Sequence, residues 1–300
     1  MAGEIFYWVF NMSIAASLSG IIVLLIGRIR KLPRRFACVL FVIPFIRMWI
    51  PVGLGSKYGL LSLISRFTTR SVAFYGSSFT TTNYIMAANS YFPITYKANV
   101  LENVFKISFY VWAVTAAALL IALFILYGAT MRQLKNAKHL KDDVYISEYI
   151  DSPALYGIIK PRIILPASYE EKELDFVLLH ERTHKKRGDN LWRMLAFITA
   201  SVHWFNPFAW VLLRSYLSAA ELACDEAVLA KCGEERKKTY ALALVSSEEK
   251  KTFFASAFGG AKIRVRIENI LSYKKLSALS AVGFTALVLV IMYTLLTNAK

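Results

Sequence analysis

Apolar residues in this chain gather into long blocks, and polar residues are confined between them. Four blocks approach the roughly 20 apolar residues needed to cross a bilayer: about 5–27, 36–54, 105–127 and 276–297. The first exceeds a signal-peptide core, and no small-residue cleavage site follows it. The second is the weakest, because it carries Pro44, Arg47 and Pro51. A charge facing lipid costs about 3 kcal/mol, so Arg47 is expected to pair inside a bundle or to snorkel. A further apolar run at 191–217 is interrupted by Pro207 and carries Arg193, His203 and Arg214. It reads as a fifth span or as a helical hairpin broken at "FNP". The hairpin is preferred, since a fifth crossing would put the strongly basic 231–275 segment outside.

Finer periodicities organise the segment between the third and fourth spans. "TMRQLKNAKHLKDD" (130–143) looks helical. Residues 144–166 alternate and are punctuated by Pro153, Gly157, Pro161 and Pro166, which predicts a short hairpin or small sheet with exposed edges. A helix is predicted over 170–187, with acids early and bases late as the helix dipole favours, and Gly188 ends it. A separate helix over 218–231 follows, then charged helical turns to about 250.

Composition supports the membrane reading. The chain is 56% hydrophobic with formal net charge +16, and its mean hydropathy is +0.45, above the range of ordinary soluble domains. The basic residues cluster at span ends. "RIRKLPRR" (28–35) links the first two spans, and further clusters follow the third span and precede the fourth. By the positive-inside rule these ends are cytosolic. Both termini and the 55–104 loop are then outside, and about 128–275 is inside. The basic excess thus reads as topology, with a grip on anionic lipid as a secondary role and no direct nucleic-acid binding. All acidic residues except Glu4 and Glu102 fall in 128–275, which is therefore the candidate aqueous domain. Cys38, Cys224 and Cys232 form no even framework and read as reduced thiols.

The candidate chemistry sits in "LLHERTHKKRGDN" (178–190). His180 and His184 are four apart, so on a helix they share a face and can bind one zinc ion. Glu181 beside them can take a proton from a water on that zinc and pass it to a leaving amine. "ELACDEAV" (221–228) offers Glu221 and Asp225 on one helix face, one as a third ligand and the other as a hydrogen-bond partner of a ligand histidine. Cys224 departs from that face, and Glu226 reads as a surface charge. His203 reads first as a core histidine and second as a donor to a tetrahedral oxyanion. Asp189 either orients His184 or starts the next helix. Ser272–Lys275 formally reads S-x-x-K but lacks partner motifs and is set aside.

Four motifs in this order, "SPALYGIIKPRIILP", "LLHERTHKKRGDN", "HWFNPFAW" and "ELACDEAV", resemble the BlaR/MecR family of integral-membrane zinc metallopeptidases, which act as β-lactam sensor–transducers and antirepressors. The resemblance covers nearly the whole chain. It implies a mainly α, polytopic membrane protein of four transmembrane helices, with a cytosolic gluzincin-like peptidase domain at 128–275 containing a small β-sheet. Residues 1–127 would hold three spans and 276–300 the fourth with a short outside tail. It further implies Zn2+ held by His180, His184 and Glu221, Glu181 as base, and Asp225 as the acid after the third ligand. The implied setting is a bacterial cell membrane, and the implied partner is a cytosolic substrate, a winged-helix transcriptional repressor; a homodimer is compatible with it. The β-lactam sensors of the family carry a large extracellular penicillin-binding domain after the fourth span, where this sequence ends at Lys300. Either the input is expected through the 55–104 loop, the bundle or another protein, or the sequence is a truncated form of a longer sensor. The competing readings are a membrane quality-control or CAAX-processing-like zinc protease, and a transmembrane regulator that binds a repressor without cutting it.

Overall fold

The computed structural model describes residues 2–29, 31–50, 55–62, 64, 100–167, 174–249 and 263–297. Most of the expected outside loop at 55–104 lies outside the described residues, as do Glu170, Glu171 and Glu173 at the start of the expected histidine helix.

The apolar blocks at the two ends and in the middle fold as α1 (Ala2–Gly27), α4 (Val100–Gln133) and α10 (Ala278–Leu296). Among the described residues these supply three helices long and apolar enough to cross a membrane. Ile107, Val114, Ile121 and Ile125 on α4, and Leu279 and Val282 on α10, are all more than half exposed. A continuous apolar surface of that kind is stable against lipid and costly against water. The expected span at 36–54 is not one helix. Phe41 divides it into α2 (Arg34–Leu40) and α3 (Val42–Trp49), and residues 51–54 lie outside the described set. Pro44 sits in the first turn of α3, where its missing N–H breaks no helical bond. The two pieces pack inside the bundle, with Leu40, Ile43 and Met48 fully buried. Arg47 is buried too. Its Nε donates to Leu295 O at 2.9 Å and its Nη2 to Thr297 O at 2.8 Å. A guanidinium at the free carbonyls of a helix C-terminus satisfies both charge and hydrogen bonding.

The 191–217 run is a hairpin. Helix α6 (Asp189–Val202) ends at His203, and α7 (Pro207–Cys232) begins after Asn206. The Asn206 carboxamide accepts from Phe208 N at 2.9 Å, and Pro207 takes the first helical position. The separate helix expected at 218–231 does not exist, because α7 runs unbroken for 26 residues. Its first half packs in the bundle through Leu212, Leu213 and Tyr216, and its second half carries "ELACDEAV". Helix α1 crosses it closely at Gly20, where an added Cβ would lie 2.8 Å from Leu212 Cδ1.

After α4 and a 3-10 turn (Leu134–Asn136), the chain enters a sheet of β1 (Lys138–Lys141), β2 (Val144–Ser147), β3 (Ala154–Tyr156) and β4 (Arg162–Pro166). The helix expected over 130–143 is thus corrected at its end, where 138–141 is a strand. Asp142, at φ 51, makes the tight reversal into β2. The sheet order is β1-β2-β4-β3, with β2 and β4 parallel and both outer pairs antiparallel. Helix α5 (Leu174–Arg187) lies across the sheet, with Leu174 and Leu178 against Val144, Ile163 and Leu165. Its neighbouring face presents Phe176 and Leu179 to Val228 and Leu229 of α7, Tyr240 of α8 (Lys237–Glu249) and Ile270 of α9 (Ile263–Ser272). Each buried Leu or Phe contributes roughly 1.5–3 kcal/mol, so α5 is clamped from two sides.

Candidate metal centre

The clamp on α5 fixes the histidines. His180 and His184 are buried on its inward face, and their Nε2 atoms stand 3.0 Å apart. Gly188, in the left-handed region at φ 67, turns the chain directly into α6. That places Asp189 at the first turn of α6, where its Oδ2 accepts from His184 Nδ1 at 2.5 Å. The two roles foreseen for Asp189 are therefore both filled. His180 Nδ1 donates to Tyr240 Oη at 2.8 Å, and that hydroxyl donates to Asp225 Oδ1 at 2.7 Å. With both Nδ1 atoms spent on oxygen partners, these bonds leave the two Nε2 lone pairs facing each other. At that separation either a proton on one Nε2 bridges the pair or a metal is shared by both, and Arg266 Nη2 stands 3.3 Å from the Nε2 of His180.

Glu221 completes the triangle. Its carboxylate oxygens lie 3.6 Å from His180 Nε2 and 3.6 Å from His184 Nε2. Ligand atoms about 2.0–2.1 Å from a tetrahedral zinc stand about 3.3 Å apart, close to these spacings. Cys224, on the same helix, is also near. His180, His184 and Cys224 offer ligand atoms within 4.8 Å of one another. Its Sγ lies 3.7 Å from His180 Nδ1, the nitrogen already bonded to Tyr240, and it also acts on His184, so Cys224 competes with Glu221 for the third position.

Two arginines bind the carboxylates. Arg193 of α6 donates to Glu221 Oε1, and Arg266 of α9 lies 3.4 Å from Glu221 Oε2. Arg266 also grips Asp225 with both ends of its fork, Nε to Oδ2 at 2.9 Å and Nη2 to Oδ1 at 2.8 Å. Burial alone would raise the Glu221 carboxyl, but His184, Arg193 and Arg266 hold it well below the usual carboxylate range. Burial alone would lower His180, yet Cys224 and Glu221 raise it to about 9. The site therefore demands positive charge at the paired imidazoles, and a proton or a divalent cation answers it.

Glu181, half-buried on α5, is near enough to act electrostatically on Tyr156 of β3 and Arg193. Beside them, a cleft of about 300 Å3 opens between α4, β3 and α6, with Tyr127, Leu155, Met194 and Phe197 among its walls. Asn190 closes one end by donating to Leu155 O and Gly157 O, both at 2.9 Å.

Several expectations need correction. His203 takes the first of its two readings, a core histidine, and the oxyanion-donor reading falls away. Its ring is buried in the bundle, taking a bond from Ser13 Oγ at 2.7 Å and giving one to Met48 O at 3.1 Å. Asp225 does not carry the principal bond to His180, which runs through Tyr240; the direct Oδ1–Nδ1 separation is 3.5 Å. Glu226 is not a free surface charge, because it accepts the backbone N–H groups of Arg34 and Arg35 at the start of α2. Ser272, set aside on sequence grounds, donates its Oγ to Asn269 O, in keeping with that reading. Arg193, Arg266 and Tyr240 were not foreseen as site residues. The two arginines had a signal, a cation in an apolar run and a cation on the inward face of a short helix; Tyr240 had none.

The chain is 39% identical to the regulatory protein BlaR1 of Bacillus licheniformis over 94 residues, which is 30% of this chain and 16% of that protein. It is 30% identical to the methicillin resistance mecR1 protein of Staphylococcus aureus over 96 residues, 31% of this chain and 16% of that protein. A third match, at 28% identity over 161 residues, is the regulatory protein BlaR1 of Staphylococcus aureus, covering 48% of this chain and 28% of that protein. The matched stretches thus span well under a third of these relatives. The family model described as BlaR1 peptidase M56 matches residues 7–270, and the chain belongs to that family.

Proposed function

We propose that this protein is a membrane-embedded zinc endopeptidase that cleaves a cytosolic protein, a transcriptional repressor, during signalling across the membrane. The observation that carries the proposal is the convergence of His180 Nε2, His184 Nε2 and the Glu221 carboxylate within ligand spacing, beside Glu181. His180, His184 and Glu221 would hold the zinc. When bound, zinc supplies Lewis acidity to the scissile carbonyl and makes water acidic enough to attack near neutral pH. Glu181 takes the proton from that water and delivers it to the amine nitrogen as the C–N bond breaks. Asp189 and the Tyr240–Asp225–Arg266 chain keep both imidazoles turned inward. Arg193 holds Glu221 in place from the side of the cleft.

The substrate would lie extended in the cleft along β3, adding a strand to the sheet edge. It would take over the Leu155 and Gly157 carbonyls that Asn190 now occupies. The names of the relatives, regulatory protein and methicillin resistance protein, favour a regulatory substrate over general turnover. Co-expression of the protein with candidate winged-helix repressors tests this. Cleavage by the wild type that disappears with Glu181→Ala and Glu221→Ala supports the assignment, provided both variants still reach the membrane. A neighbouring repressor left intact under all conditions of cell-wall stress would count against that substrate class.

A further inference from the structure

A second cavity, of about 1090 Å3, is lined on α7 by Ala223, Glu226, Ala227 and Ala230 rather than by Glu221 and Asp225, which turn to the paired histidines. It is bounded by the "RIRKLPRR" link and α2, by the α5–α6 junction, by α7, and by the passage from α9 into α10. These boundaries set its depth. The link follows the end of α1 at Gly27, and α10 begins at Ala278, so the cavity sits where two long apolar helices reach their charged ends.

Its lining is divided in kind. One part is cationic, with Lys31, Arg35, Arg187, Lys231 and Lys274. The other is apolar, with Val39, Val42, Trp192, Leu276 and Met292. Val39 and Trp192 are 45% and 44% exposed, which is costly for side chains that face water from inside a cavity. The acids in the lining do not balance the cations. Asp189 is committed to His184 and Arg187, and Glu226 to the start of α2. Lys231 donates to the neutral Thr183 hydroxyl. Glu226 meets Arg35 through its backbone N–H and acts on its charge, while no ion pair of Lys31 or Lys274 occurs among the described residues. A large cavity with unneutralised cations at one wall and exposed carbon at the other fits a ligand with an anionic head and an apolar tail.

We propose that this cavity binds one anionic phospholipid of the cytosolic leaflet. Its phosphate rests on Lys31, Arg35 and Lys274, and an acyl chain runs along Val39, Trp192 and Met292. Basic pockets between membrane helices on the cytosolic side are the usual setting for such headgroups. The proposal rests on α1 and α10 crossing the membrane but not on the peptidase reading. Occupancy would nonetheless bear on the candidate site, because Arg187 and Asp189 line this cavity while Asp189 holds His184.

Native mass spectrometry of the detergent-purified full chain tests the site, with phosphatidylglycerol, phosphatidylcholine or inorganic phosphate added separately. One phosphatidylglycerol per chain is expected, with phosphatidylcholine bound at least ~tenfold less. A Lys31→Ala/Arg35→Ala/Lys274→Ala variant of unchanged metal content should lose that preference. Phosphatidylglycerol with brominated acyl chains should quench tryptophan emission in the wild type and less in Trp192→Phe. Equal occupancy by the two lipids, retention of the preference by the triple variant, or unchanged quenching in Trp192→Phe would each overturn the proposal. So would inorganic phosphate that displaces the lipid at equal concentration, since the site would then recognise a free anion.

Discussion

At the scale of single residues, the account turns on groups that touch the histidines rather than on the histidines alone. Asp189→Asn removes the carboxylate that fixes the His184 tautomer. Metal affinity, measured by competition with a chelating dye, should fall about 10–100-fold. Tyr240→Phe breaks the relay from His180 to Asp225 and should lower affinity by about tenfold in the same assay. Cys224→Ser distinguishes the two possible third ligands. It should leave one zinc per chain, whereas Glu221→Gln should not, and the reverse pattern would move the site onto the sulfur. Arg266→Ala leaves Asp225 buried without its partner. Thermal unfolding should register about 3–5 kcal/mol of lost stability, with metal content falling alongside. The pairing of the two histidines and the approach of Asp189 were legible because helical spacing and the turn at Gly188 are local, whereas Glu221 was reached through the second carboxylate motif on a separate helix. Tyr240 and Arg266 reach the site from helices 60 and 86 residues away. No local periodicity could bring them together.

At the scale of elements, the hairpin at "FNP" was legible because Asn206 and Pro207 form a helix start that the sequence states outright. The unbroken length of α7 was not, because the change from apolar to charged near residue 218 resembles a boundary. It marks instead the passage of one helix from the bundle core into the site. The split of 36–54 into α2 and α3 was partly visible in Pro44, but the break falls at Phe41, which has no signature as a breaker. The continuity of α7 has a consequence. A shift of α1 against Leu212 is carried along one rigid rod to Glu221 and Asp225 nine and thirteen residues further on. Gly20→Leu places a side chain where even a Cβ meets Leu212 at 2.8 Å. Overpacking of this kind costs about 1–3 kcal/mol. The variant should lose thermal stability and, with α7 displaced, also proteolysis, while Gly283→Leu, in open space on α10, should change neither.

At the scale of the whole molecule, the charge pattern and the apolar surface tell a consistent story about a membrane protein with its histidine site among polar helices. The basic link at 28–35 and the start of α10 meet at one level, beside the second cavity. The sidedness itself is open to direct labelling. In a variant with Cys232 replaced, Ala2→Cys should react with a membrane-impermeant maleimide in intact cells, and Lys141→Cys should react only after lysis. The opposite pattern would reverse the orientation and remove a cytosolic repressor as substrate. The measurement closest to the central claim is the comparison of wild type and Glu181→Gln, purified side by side, for zinc content and for new peptide termini in a co-incubated repressor. The account predicts one zinc per chain in both proteins and new termini only with the wild type. Identical fragments from Glu181→Gln, or a wild type that cleaves without bound metal, would contradict it.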